Sequence, residues 1–110
     1  MDIKQIVLEY FNIFSRKEID KLEQLFANDI YLRDWEVEAI GISNVIKANQ
    51  DIFDSAKTLE VEPINIYKDM NTLICELIIT IDSSEIELVV DIIEFDESGK
   101  IKSIKAYKGN

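Results

Sequence analysis

The stretch LVVDIIEFDESGKIKSIKAY, from Leu88 to Tyr107, decides how the chain reads. Two β-rich runs flank Asp96-Glu97-Ser98-Gly99, a cluster of turn formers, so the segment predicts a hairpin of long strands. Inside the first run Asp91 has apolar neighbours on both sides, and neither face of the strand gives it an easy route to water. Burial is the expectation. Desolvation disfavours the charged form, so the pKa of this carboxyl should rise and the group should persist as a hydrogen-bond donor.

Working towards the N-terminus, Leu73 to Ile81 and Leu59 to Tyr67 read as two more strands, with turns at Asp82-Ser83-Ser84 and Asp69-Met70-Asn71. Pro63 interrupts the earlier one, which implies a bulge or an edge position. Together with the hairpin these strands should form an antiparallel meander. The first half of the chain is helical in pattern. Ile6, Val7, Tyr10, Phe11 and Phe14 mark one buried helix face behind an Asp2/Gln5 variant of the capping box. Ser15 and Glu18 form a fuller capping box ahead of a second stripe, Ile19, Leu22, Leu25 and Phe26, ending near Asn28-Asp29. Ile30 to Trp35 alternates as a strand, with Ile30, Leu32 and Asp34 on one face and Tyr31, Arg33 and Trp35 on the other. Ser43 can cap a third helix whose stripe is Val45, Ile46, Asn49, Ile52, Phe53 and Ala56. Helices followed by a sheet make an α+β layer architecture in one domain, residues 1–110, with the helices packed on the sheet's concave side.

Composition narrows the function. A formal charge of −10 on 110 residues repels phosphate backbones, so nucleic acid is not an expected partner. No window has the apolar length of a membrane span, and Asp2 and Lys4 open an amphipathic pattern unlike a signal-peptide core, so a cytoplasmic protein is expected. Histidine is absent, which removes Ser-His and Cys-His nucleophiles and imidazole-dependent zinc sites. No metal is expected. Gly41, Gly99 and Gly109 stand too far apart to cradle a phosphate, and no cofactor is expected. Cys75, inside an apolar run, reads as a packed, inert thiol. Any catalysis must run on carboxylates and phenols. Tyr10 on a buried helix stripe, Asp34 where a strand ends and Asp91 within the last hairpin are the candidates. Two neutral donors aimed at one spot would stabilise an oxygen gaining negative charge, and an ionised carboxylate beside them would move a proton.

The stretch EYFNIFSRKEIDKLEQLFANDIYLRDW resembles the first two helices and first strand of the ketosteroid isomerases, and VVDIIEFDESGKIKSIKAY resembles their last hairpin. The apolar-FD-x-x-GKI pattern recurs across the wider SnoaL-like superfamily. The resemblance implies the cone-shaped nuclear transport factor 2-like, or cystatin-like, fold, with Asp34 as proton shuttle and Tyr10 and neutral Asp91 as oxyanion donors. It also places Phe14, Phe26, Leu32 and Phe53 around a pocket, with Asn49 where the isomerases have an aromatic residue. Counting along strands turns Ile104, Ala106 and Lys108, and likewise Ile74, Glu76 and Ile78, towards that pocket. Such a lining suits a modest-sized organic molecule better than a steroid, with Lys108 available to a negative group. Three readings follow: a small-molecule-binding domain, an isomerase acting beside a carbonyl, and an interaction module. Three short helices cannot cover both faces of the sheet, so a homodimer through its apolar outer face is expected.

Overall fold

The capping residue foreseen at Asp2 is in place, its Oδ1 accepting from the backbone N–H groups of Lys4 and Gln5 at 3.1 and 3.3 Å. It starts helix α1, Ile3–Ser15, in the computed structural model, which describes residues 2–110. Helix α2 spans Ile19–Leu25, strand β1 Phe26–Arg33, strand β2 Glu38–Ile40 and helix α3 Ile42–Ser55. Strands β3, Leu59–Asp69, β4, Thr72–Ile81, β5, Glu85–Phe95, and β6, Ile101–Lys108, complete the chain.

The six strands form one sheet in the order β2-β1-β6-β5-β4-β3. β3 to β6 are the antiparallel meander, and β1 joins its free edge parallel to β6. The parallel pairing arises because α3 and the meander intervene between β1 and β6, a connection long enough to return the chain in the same direction. Pro63 lies on edge strand β3, where the pairing with β4 slips between Pro63 and Asn65, as an imino acid without an N–H requires. All three helices lie on one face, α1 against β3 and α3 against β1. Between the layers sits the core, with Val7, Leu22, Ile30, Val45, Leu73, Ile93, Phe95 and Ile101 fully buried.

Three local expectations are corrected. Ser15 caps nothing: it is the last residue of α1, and its hydroxyl accepts from the Val61 N–H at 3.0 Å, tying α1 to β3. Helix α2 starts at Glu18 without a side-chain cap and ends by Leu25, so Phe26 opens a strand. Ser43 lies inside α3, whose N-cap is Gly41, at a φ of +89° that favours glycine. The short edge strand β2 carries too little alternation to be read from the sequence.

At its far end α3 is held by the Lys17 ammonium, which donates to the Phe53 carbonyl at 2.7 Å and to the Ala56 carbonyl. A cation on the last carbonyls of a helix complements the negative end of its dipole. These bonds tie the link between α1 and α2 to the end of α3 within the helical layer.

Candidate functional site

Pairing across the meander places Cys75, Asp91 and Ala106 side by side on β4, β5 and β6. Because side chains alternate, Leu77 and Val89 form the next row on the same face, and Ile79 and Glu87 the one after. Cys75, Asp91, Leu77 and Val89 are buried beneath the helices, and Ala106, Ile79 and Glu87 are half-buried. Between helices and sheet lies a cleft of about 270 Å³, lined by apolar side chains from every layer, with Tyr10, Asp34, Asn49 and Asp91 as its inner polar groups. That is just below the usual range for ligand cavities, roughly 300–1,000 Å³.

Each polar group arrives from a different element. Tyr10, 6% exposed, comes from α1 and is braced by the rings of Phe11, Phe14 and Phe26, with centroids 5.4, 6.1 and 6.3 Å away. Asp91, 8% exposed, comes from β5. Neither side chain hydrogen-bonds to another described residue, and their oxygens open onto the cleft. Asn49 comes from α3, where its amide nitrogen donates to the Val45 carbonyl at 2.8 Å. Its oxygen is left as an acceptor.

Asp34 follows β1 directly and has two tasks. Its Oδ1 accepts from the N–H groups of Glu36 at 2.8 Å and Val37 at 2.7 Å, and its own N–H donates to the Val37 carbonyl at 2.9 Å. These bonds fold residues 34–37 into a tight loop and fix the carboxylate at the cleft wall, with Oδ2 unengaged by the protein. The same loop brings Trp35 back to the mouth of the cleft, although strand alternation put it on the opposite face from Asp34.

Burial dominates the electrostatics. Desolvation, followed by repulsion from Asp34, pushes the Asp91 carboxyl up from 3.8 to about 7. The Tyr10 phenol is raised well above its ordinary value by burial first and then by the charges of Asp91 and Cys75. Burial, with Asp91 second, pushes the Cys75 thiol up to about 12, so it stays protonated and unreactive. At neutral pH the cleft therefore offers a neutral phenol and a substantially protonated carboxylic acid close to Asp34.

Of the lining residues expected from the sequence, Phe14, Leu32, Asn49, Ile104 and Ala106 do face the cleft. Others do not. Phe26 and Phe53 are core residues behind the wall, Phe26 against Tyr10 and Phe53 edge-on to Phe14 at 5.0 Å. Ile74, Glu76 and Ile78 point the other way, because pairing with β5 puts odd-numbered β4 residues beside Asp91. Ile74 is 39% exposed, and Glu76 accepts from the Asn65 amide at 2.7 Å on the outer face. Lys108 is on the cleft side of β6, but its ammonium stops at the rim, 3.0 Å from Glu87 and 5.7 Å from the centroid of Trp35. Glu36, Glu87 and Trp35 went unrecognised. Glu87 was legible, since an inward Asp91 fixes the parity of β5. Trp35 and Glu36 depend on the Asp34 loop, which leaves no periodic signal.

No metal-binding cluster of acidic, cysteine or histidine side chains occurs among the described residues, and none of their helices is long and apolar enough to cross a membrane. No family model and no curated protein matches the sequence. Solved structures do match in shape. A candidate ketosteroid isomerase from Kribbella flavida DSM 17836 superposes with a TM-score of 0.85 at 13% identity, over 98% of this chain and 78% of that one. A SnoaL-like protein of unknown function from Burkholderia thailandensis E264 gives 0.85 at 10% identity, over 97% and 94%. An LEH-like epoxide hydrolase from M. tuberculosis gives 0.82 at 15% identity, over 96% and 80%. Identities this low establish the fold and leave the reaction open. The fold is the nuclear transport factor 2-like one.

Proposed function

We propose that this nuclear transport factor 2-like chain binds a small organic molecule in the cleft beneath α1 and α3. One observation carries the reading: Tyr10 and Asp91 are more than nine-tenths buried, lack protein partners and open onto the same apolar cavity. Both groups are free to donate to a ligand oxygen in the cleft, each such hydrogen bond contributing about 0.5–1.5 kcal/mol. The cavity's size suits a molecule well short of a steroid.

A proton-transfer reaction on that molecule is favoured by the contrast between the two acids. Asp91 holds its proton up to about pH 7, whereas Asp34 is tied by two backbone N–H groups and keeps one oxygen unengaged. A protonated acid and a second carboxyl with a free oxygen, facing one cavity, can divide the work of donor and acceptor. In this reading Asp34 takes a proton from the carbon beside a carbonyl, and Tyr10 and Asp91 donate to the carbonyl oxygen as it gains charge. Deuterium exchange at that carbon, followed by NMR across a panel of small ketones, tests it. Asp34→Asn should slow exchange by at least about a hundredfold, given what positioned general bases contribute. Exchange that survives the substitution, or none with any ketone, would leave binding alone.

For the outer face of the sheet we propose a second copy of the chain as partner. Ile64, Ile74, Ile86, Leu88 and Tyr107 are exposed there, and a shallow apolar hollow runs between Ile64, Leu88 and Tyr107. Light scattering should give twice the chain mass, and Leu88→Glu should halve it. A monomeric wild type would refute the pairing.

A further inference from the structure

We infer that the cleft takes an organic cation, its apolar body between helices and sheet and its ammonium at the mouth, in the seat bounded by Glu36, Glu87 and the Trp35 ring that the Lys108 ammonium now fills. The inference rests on the binding reading above and adds the charge class of the ligand. The four ionisable acids lining the cavity are Asp34, Glu36, Glu87 and Asp91, and no basic side chain lines it. Asp34 and Glu36 make no ion pair with any described residue. An anion entering here would meet uncompensated carboxylates, whereas a cation would be drawn in by a field that the chain's net charge of −10 reinforces.

The mouth already displays the recognition. Lys108 Nζ lies 3.0 Å from Glu87 Oε2 and 5.7 Å from the centroid of the Trp35 ring. A carboxylate beside the face of a tryptophan is the pairing that binds ammonium groups, through Coulomb attraction and the quadrupole of the ring. Glu85 and Glu36 add to the negative field at Lys108, so three acids surround one base. The Lys108 ammonium sits on a flexible four-carbon stem, which can swing it out to solvent when another ammonium arrives. Being aimed into the cavity without partners, Tyr10 and Asp91 independently mark its floor as a place for a ligand.

Three probes of one skeleton test the inference: 4-phenylbutylamine, 4-phenylbutan-1-ol and 4-phenylbutanoate, titrated at low salt into the full chain and followed by backbone amide shifts at Val89 and Ala106. The amine should bind about tenfold more tightly than the alcohol, and the carboxylate at least tenfold more weakly. Glu87→Gln should reduce the amine-to-alcohol affinity ratio several-fold, and Lys108→Met, which vacates the seat, should raise it. Equal affinities for the three probes, or an unchanged ratio in both variants, would overturn the inference while leaving the cleft a binding site. So would a carboxylate that binds best and is weakened by Lys108→Met, which would make Lys108 an anion anchor. Failure of all three probes to bind would remove the binding reading and the inference together.

Discussion

β4, β5 and β6 show one face to the helices and the other to solvent, and the two faces treat acidic side chains in opposite ways. On the outer face Glu76 is bonded to Asn65 and Glu94 lies 3.6 Å from Lys102, both in reach of water. On the inner face Asp91 is buried, without a counter-ion, and nearest in charge to another acid. A chain selected for stability alone would reverse this assignment, because water screens the outer acids at little cost and nothing screens Asp91. Tyr10 and Asp91, buried and unpartnered at the cavity floor, stand apart from Glu87 at its rim and from the outer acids, which have partners, and mark the part of the sheet that works.

The strongest way to break this contrast is to titrate it. Asp91 has a raised pKa, so between the unfolded value of 3.8 and the folded value of about 7 the native state binds more protons than the unfolded state. Stability therefore falls as pH rises through that window and stays low above it. A carboxyl moved this far costs roughly 4 kcal/mol when ionised. Thermal unfolding of Asp91→Asn and wild type should give curves that diverge as pH rises from about 4 to about 7 and run parallel above it, the variant becoming the more stable. Curves parallel throughout would mean that Asp91 reaches water, that Tyr10 and Cys75 do not wall it in, and that Asp34 is too distant to repel it.

A smaller effect compares apolar residues on the two faces. Ile93→Ala on the inner face should cost about 3 kcal/mol in denaturant unfolding, since its side chain is fully enclosed. Ile74→Ala on the outer face should cost less than about 1 kcal/mol at high dilution, since the side chain is 39% exposed. Equal losses would show that the outer face is covered in solution, which would sharpen the case for a second copy. Smallest of all should be Tyr10→Phe. Removing a hydroxyl with no protein partner should change stability by less than about 1 kcal/mol, in either direction. The same variant should weaken ligand binding or slow exchange far more. A large loss of stability would assign the hydroxyl to the core instead.

Where the sequence carried regular signals it read well, and where side chains depend on pairing it did not. Val7, Tyr10 and Phe11 announced α1 through helical spacing, and Pro63 announced a bulge or an edge through the missing N–H, of which β3 has both. The even-numbered β4 residues were placed on the wrong face because Leu73 to Ile81 is apolar on both parities. Only the single charge of Glu76 argued for the outside. Ser15 and Glu18 had the spacing of a cap, yet the hydroxyl bonds to β3, a contact set by tertiary packing. Asp34 could be read as a turn former or as a site residue, and the loop at residues 34–37 makes it both.

What the sequence determined by itself was the order of helices and strands, the anomaly of an acid within LVVDIIEF, and the exclusion of imidazole and thiolate chemistry. These follow from periodicity, turn formers and residue type, which act over a few neighbours. The tertiary structure alone decided which residues share the cleft, that β1 runs parallel to β6, and that Lys108 is bound to Glu87 at the rim. Such facts depend on strand register and on loops that join distant segments, and a register shift of one residue would turn every side chain of a strand to the other face.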